Sequence, residues 1–431
     1  MNSFLTDPNA QTVTLGVMLL GAAAGMTGSF AFVRKRALVG DAIAHSVLPG
    51  VCLAFLLSGQ KHPLYLLIGA AVTGWLSLLF MDFITRHSKI KPDAAIGVVL
   101  SLFFGLGILL LTAIQNSGSG NQAGLDKFLF GKAASLSRQD VLIFSILTLL
   151  IAGCIGLFFR HFKYVAFDRD FSVALGLPVR SIELLLSILT VLAVAAGIQA
   201  VGAVLMAALL ITPAAGARFW THSLRRMVFL SGVFGAIAGI FGAWVSYLAP
   251  AMPTGPWIVL LLSAMTLLSA FFAPGGIIAR YWLRRENIKK IRAENIVKSF
   301  FLLQESGVSD GSPVSTEILR QSCHLSYREL TQGLKDLHRK GLIVPSGNGR
   351  QWQLTSTGAQ ESRRIVRLHR LWELYLSHRL GMAADHVHES AEAIEHLLTP
   401  EMEKHLLEDL DYPKRDPHES DIPYEPEKNR P

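Results

Sequence analysis

Gly40-Asp41-Ala42-Ile43-Ala44-His45-Ser46-Val47-Leu48-Pro49-Gly50 sets a carboxylate and an imidazole one helical turn apart inside an otherwise apolar run. On a helix, residues four apart share a face, so Asp41 and His45 can reach one divalent ion with mixed oxygen and nitrogen ligands. Ionisable groups at membrane depth cost on the order of 2.5 kcal/mol or more each, which makes a functional role the default reading. The alternative is a structural pair that bonds to itself or to a neighbouring span and holds helices together.

The surroundings of that motif are those of a membrane protein. Hydrophobic residues make up 51% of the chain and charged residues 17%, with mean hydropathy +0.40. Soluble domains are less apolar and more charged. Up to Arg285 the chain carries 20 Lys and Arg against 9 Asp and Glu; from Glu286 onward it carries 20 against 23, with nine of the fourteen histidines. The positive net charge thus belongs to the apolar half, where span orientation explains it without nucleic acid.

Apolar stretches of spanning length recur at about 11–33, 37–58, 63–83, 93–115, 140–159, 181–198, 200–217, 227–248 and 256–273, nine candidate helices. The pair flanking Gly197 and Gly202 is expected to be broken or short. Phe128-Leu129-Phe130-Gly131 is a candidate re-entrant segment. With the N-terminus outside, thirteen Lys and Arg fall in inner loops and only Lys61, Lys127, Lys132 and Arg138 in outer ones. That asymmetry predicts an outer N-terminus and a cytoplasmic C-terminal domain. No cleavable signal pattern precedes the first run, so insertion through the spans themselves is expected. Cys52, Cys154 and Cys323 imply no disulfide framework.

The motif from Gly40 to Gly50 resembles the second-helix signature of the zinc/manganese/iron permeases of ATP-binding-cassette importers. Asp93-Ala94-Ala95-Ile96-Gly97 and the small-residue segment from Gly202 to Ala215, ending Thr212-Pro213-Ala214-Ala215, match the same family in order. The resemblance implies that Asp41 and His45 contact the metal as it passes between two permease subunits. These are two copies of this chain or this chain and a paralogue. It also implies cytosolic ABC ATPase subunits and an extracytoplasmic metal-binding solute-binding protein, in a bacterial plasma membrane. Phe167-Asp168-Arg169-Asp170-Phe171-Ser172-Val173-Ala174-Leu175-Gly176-Leu177-Pro178 resembles the coupling helix that engages the ATPase. Asp168 and Asp170 stand at its start, Phe171, Ala174 and Leu175 share one face, and Gly176 ends it. An ordinary interfacial helix is the alternative. No Gly-x-x-x-x-Gly-Lys-Ser/Thr loop occurs, so the chain is expected to be a transport subunit rather than an enzyme, with ATP hydrolysis in trans.

From about Glu286, after a candidate linker Trp282-Leu283-Arg284-Arg285, the pattern becomes that of soluble helices. Helices are expected at about 288–305, 315–322 and 326–340, then two short strands around Gly347-Asn348-Gly349, which suggests a winged helix-turn-helix over 286–355. Two further helices carry Arg367-Leu368-His369-Arg370-Leu371-Trp372-Glu373 and Val387-His388-Glu389-Ser390-Ala391-Glu392-Ala393-Ile394-Glu395-His396. Here the chain is similar to metal-dependent repressors of the DtxR and MntR type, with a helical metal-binding and dimerisation domain at 356–425. The resemblance implies His369, Glu392, Glu395 and His396 as ligands of manganese, zinc or iron, and Glu373 and His388 as members of a second site. Such repressors also draw ligands from their first helix, where Ala293-Glu294-Asn295-Ile296-Val297-Lys298 offers Glu294 but no carboxylate one turn later. The cluster serves either as a metal site or as a polar helix interface.

The fold class expected is therefore an all-α polytopic membrane protein of about nine transmembrane helices, over 1–280, followed by a cytosolic winged-helix and helical dimerisation domain. The function expected is import of a divalent transition metal (manganese, zinc or iron) with a metal-sensing tail and no organic cofactor. The alternative is a membrane-tethered, metal-responsive DNA-binding regulator. DNA is the disfavoured partner: the candidate recognition helix, from Ser326 to Lys340, mixes both charge signs, and the tail is acidic.

Overall fold

The computed structural model describes the chain apart from residues 1–3, 5, 37, 61, 117–130, 132, 134–135, 249–251, 348, 383–386, 388–393, 395–397 and 425–431. It divides into two compact units, Met1–Arg280 and Tyr281–Pro431.

The first unit is helical throughout its described residues: α1 (Pro8–Val33), α2 (Val39–Ser46), α3 (Leu48–Ser58), α4 (Pro63–His87), α5 (Pro92–Asn116), α6 (Arg138–Phe167), α7 (Arg169–Ala174), α8 (Val179–Val201), α9 (Ala203–Arg218), α10 (Leu224–Leu248) and α11 (Thr254–Phe272). Among the described residues, eight stretches are long and apolar enough to cross a membrane, α2 and α3 together making one of them. The expected ninth, at 200–217, is instead the shorter α9 of 16 residues. Gly202 is the cause of the shortening. Its φ of 92° and ψ of 161° interrupt the helical backbone between α8 and α9, a conformation that only glycine adopts readily. The candidate re-entrant residues Phe128, Leu129 and Phe130 lie outside the described residues.

Small residues set the helix spacing. A Cβ on Gly21 of α1 would overlap the Gly235 carbonyl of α10, and one on Gly235 would overlap the Gly21 carbonyl, so the two backbones touch. Such close approach is how helices gain packing energy where lipid offers no hydrophobic drive. The outward faces of α5, α6 and α11 expose Leu109, Leu149, Leu157 and Leu267, as an apolar solvent allows. α2 lies inside, with Ala42, Ile43 and Ala44 fully buried beside its polar pair. Pro49 at the start of α3 has no N–H to continue the ladder, so the α2–α3 span bends just beyond His45.

The second unit contains most of α12 (Ile277–Glu305), followed by β1 (Val314–Ser315), α13 (Thr316–Cys323), α14 (Tyr327–Arg339), β2 (Ile343–Ser346), β3 (Gln351–Leu354), α15 (Ser356–Leu380) and α16 (Pro400–Asp409). Residues 282–285, expected as a linker, are helical. They contain neither Gly nor Pro, and the change of composition there marks a change of solvent rather than a break in the chain. The sheet is antiparallel in the order β1-β3-β2, with Val314 opposite Trp352 and Ile343 opposite Leu354. Ile296, Val297, Leu319, Leu330, Leu334, Leu337, Ile343 and Ile365 form its core. Gly333 admits α12 against α14, since a Cβ there would press on Ile296. Ser326 and Glu329 close a capping box on α14. Glu403 of α16, itself buried, receives Arg367 at 2.6 Å and Arg364 at 3.1 Å from α15.

Candidate functional site

Asp41 and His45 project from one face of α2, with His45 Nε2 3.4 Å from Asp41 Oδ1. Their side chains are 39% and 21% exposed, so both stay reachable although the helix that carries them is buried. Phe104 of α5 meets the imidazole edge-on at 5.2 Å between ring centres. His45 Nδ1 is buried and has no hydrogen-bond partner among the described residues. An unsatisfied buried imidazole nitrogen costs about 1–3 kcal/mol. Nothing in the sequence marks Phe104, because an apolar span does not distinguish one phenylalanine from another.

Gly40, before the pair, packs under Leu210 of α9, and Gly74 of α4 lies against Ile43 and Val47. The pair thus rests on a backbone fixed from both sides. A carboxylate oxygen and an imidazole nitrogen are two ligands of the four to six that a divalent transition metal takes. Among the described residues no group of three His, Cys, Asp or Glu side chains is placed to hold a metal ion.

The segment expected to couple to an ATPase, 167–178, forms the short helix α7 and the turn that follows it. Asp168 caps it, accepting the Phe171 N–H at 2.9 Å, and Ser172 is buried beneath it. Gly176 in the left-handed region turns the chain away, with Leu177 N–H returning to Ser172 O. Arg34 and Arg169 both reach Glu183, at 2.6 Å and 3.6 Å, tying the segment to α1 and α8. What remains outward is apolar: Phe171, Val173 and Leu175 are each 53% exposed, Ala174 and Gly176 are exposed beside them, and the Asp170 side chain is almost fully solvated.

In the second unit, His369 and Glu373 meet one turn apart on α15, Nε2 to Oε1 3.1 Å, both buried. Lys298 of α12 joins them, its Nζ 3.2 Å from His369 Nδ1. Its position is the one, a turn beyond Glu294, where the sequence offered no carboxylate. Glu294 itself pairs with Lys290 at 3.7 Å. His388, Glu392, Glu395 and His396 lie outside the described residues. Burial pushes the Cys323 thiol up, partly offset by its contact with Ser299, which leaves it an unreactive core group.

The first unit is that of a polytopic helical membrane protein with a carboxylate–imidazole pair on an interior helix. Residues 6–273 match the ABC 3 transport family, and the chain belongs to that family. Residues 355–424 match the iron-dependent repressor metal-binding and dimerisation domain. The chain is 43% identical over 380 residues to the manganese transport system membrane protein MntC of Bacillus subtilis, covering 88% of this chain and 86% of that one. It is 43% identical over 281 residues to the zinc transport system membrane protein TroC of Treponema pallidum, covering 65% and 94%. A solved structure of PsaBC from Streptococcus pneumoniae in complex with Fab aligns with a TM-score of 0.57 and 35% identity, covering 64% of this chain and 95% of that one.

Proposed function

We propose that the chain is the permease subunit of an ATP-driven, binding-protein-dependent importer of a divalent transition metal. The geometry of Asp41 and His45, a half-complete ligand set on an interior helix of an ABC 3 chain, carries this reading. A second permease, another copy or a paralogue, supplies the remaining ligands. Four oxygen and nitrogen donors suit manganese, zinc and iron alike, and relatives named for manganese and for zinc share this fold family. The ion is received from an outer solute-binding protein by the Asp41 and His45 pairs. α7 presents Phe171 and Leu175 to a groove of the partner ATPase, whose movement is transmitted through the Arg169–Glu183–Arg34 chain.

In this reading α9, about 24 Å long at 1.5 Å per residue, makes a ninth crossing. An odd number of crossings places the N-terminus outside and the second unit in the bacterial cytoplasm, as the Lys and Arg distribution favours. The second unit, over 286–355 and 356–425, regulates transport. The test is uptake of radiolabelled manganese, zinc and iron by cells bearing this chain with its ATPase and binding protein. One metal is taken up, and an Asp41→Asn, His45→Ala variant of equal abundance fails to take it up; unchanged uptake in that variant overturns the site. Deletion of 286–431 raises accumulation at high external metal, and unchanged accumulation removes the regulatory role.

A further inference from the structure

Every residue from Tyr281 to Lys290 of α12 is exposed, so no face of these turns is covered by another described element. Burial begins only at Ala293 and Ile296, where the same helix enters the core of the second unit. Tyr281, Trp282 and Leu283 are 60%, 57% and 57% exposed, and Ile288 is exposed as well. A helix gains most of its stability by covering such side chains, and here nothing in the chain does so. Among them stand Arg284, Arg285, Lys289 and Lys290, with Glu286 the one carboxylate of the stretch. Arg280 is engaged by the Gly275 carbonyl at 2.9 Å and Lys290 by Glu294 at 3.7 Å. The side chains of Arg284, Arg285 and Lys289 form no hydrogen bond or ion pair among the described residues.

These residues are ordered along the helix axis: aromatic and apolar at 281–283, then cationic at 284, 285 and 289. Tyr281, Arg285 and Lys289 stand four apart in one row, each about 6 Å beyond the last. That is the order met on leaving a bilayer, with Tyr and Trp rings at the glycerol level and phosphates outside them. The chain arrives from that side. The apolar helix α11 ends at Phe272, and four residues of turn with five of helix bring Tyr281 within about 22 Å of its end. We propose that residues 281–289 bind anionic phospholipid, Tyr281 and Trp282 at the glycerol level and Arg284, Arg285 and Lys289 on the headgroup phosphates. Charge complementarity selects the anionic class, because a zwitterionic headgroup sets its own cation among these three. A nucleic acid or an acidic protein would meet the cations but leave Leu283 and Ile288 in water. Through Ile296, Val297 and Phe300 the same helix continues into the core of the second unit, so the lipid fixes the first helix of that unit at the bilayer surface.

The test uses the full chain in phosphatidylcholine nanodiscs doped with a minor fraction of either phosphatidylglycerol or phosphatidylcholine brominated near the top of its acyl chains. Trp282 is read as the difference in fluorescence quenching between the chain and its Trp282→Phe variant. The local concentration of brominated phosphatidylglycerol around Trp282 exceeds that of brominated phosphatidylcholine by roughly fivefold or more, the preference that a single surface cation gives. Replacing Arg284, Arg285 and Lys289 together by Gln removes the preference, whereas Arg284→Lys with Arg285→Lys keeps it. Lys289→Gln alone lowers the preference partway, which keeps the test decidable if the triple variant is not recovered folded. Four results overturn the proposal: no quenching that depends on Trp282, equal quenching by the two lipids, an unchanged preference in the folded Gln variants, or displacement of the lipid by inorganic phosphate at constant ionic strength. The last would make the cluster a site for the free anion. No metal and no transport step enters the measurement, so its failure is distinct from failure of the permease reading.

Discussion

Asp41 and His45 face each other at 3.4 Å across one turn of α2, and the second nitrogen of that imidazole is buried with no partner among the described residues. A pair built only to hold helices together would direct both ring nitrogens at protein groups. In the proposed function the Nε2 that faces Asp41 is the nitrogen offered to an ion, whose remaining ligands come from outside the chain, and the buried Nδ1 takes no part in that shell.

Removal of either side chain is therefore expected to lower transport sharply without unfolding the protein. Asp41→Asn keeps the shape of the side chain and removes its charge, and uptake falls roughly tenfold or more, the least that lost metal contacts cost. Both residues retain solvent exposure, so the change in thermal stability stays within about 0.5 kcal/mol. Uptake and Tm measured on the same preparation check the two halves of this expectation. A large fall in Tm would make the pair structural.

This pair was legible in the sequence because an i, i+4 acid and imidazole stand out in an apolar run. The Lys298 contact was half legible: the sequence showed that the first helix lacks a second carboxylate. It did not show that the lysine standing there reaches His369, 71 positions along the chain, which depends on how α12 packs against α15. The exposed face of α7 followed from its Gly-Pro stop and its apolar spacing. Its attachment through Glu183 did not, since that ion pair joins three elements.

Phe171 and Leu175 expose apolar surface on a turn tied to α1 and α8 through Glu183. Phe171→Ala removes a side chain that contacts solvent in the isolated chain, so Tm is unaffected. Binding to the partner ATPase weakens by about 2 kcal/mol, roughly thirtyfold, if the ring is a central anchor of that interface. Dissociation constants for the detergent-solubilised chain and its ATPase, with and without the substitution, decide this. Equal constants would return α7 to an ordinary interfacial helix.

Glu403 is the buried acceptor for both Arg364 and Arg367. Glu403→Ala leaves the Arg367 guanidinium without its carboxylate, and the second unit loses about 3 kcal/mol of stability, the low end for an opened buried pair because Arg364 keeps Glu361 at 3.3 Å. Limited proteolysis of the full chain reports it as faster cleavage within 356–424, with cleavage in the first unit unchanged. Glu403→Gln, which retains an acceptor oxygen, is cleaved at an intermediate rate.

Gly202 joins the two helices that a hydropathy window sees as consecutive spans, and its φ of 92° with ψ of 161° lies where only glycine is at ease. Hydropathy cannot register this, because a glycine in a run of small apolar residues looks the same whether the backbone passes straight through or turns. Gly202→Ala places a Cβ on that strained backbone and costs on the order of 1–3 kcal/mol. Gly105, by contrast, is helical with open space where its Cβ would stand, so Gly105→Ala is neutral or slightly stabilising. Thermal unfolding of the two variants in the same detergent separates conformational strain from the generic effect of adding a methyl group. Equal Tm values would mean that the α8–α9 break survives without glycine and that its cause lies in the packing around it.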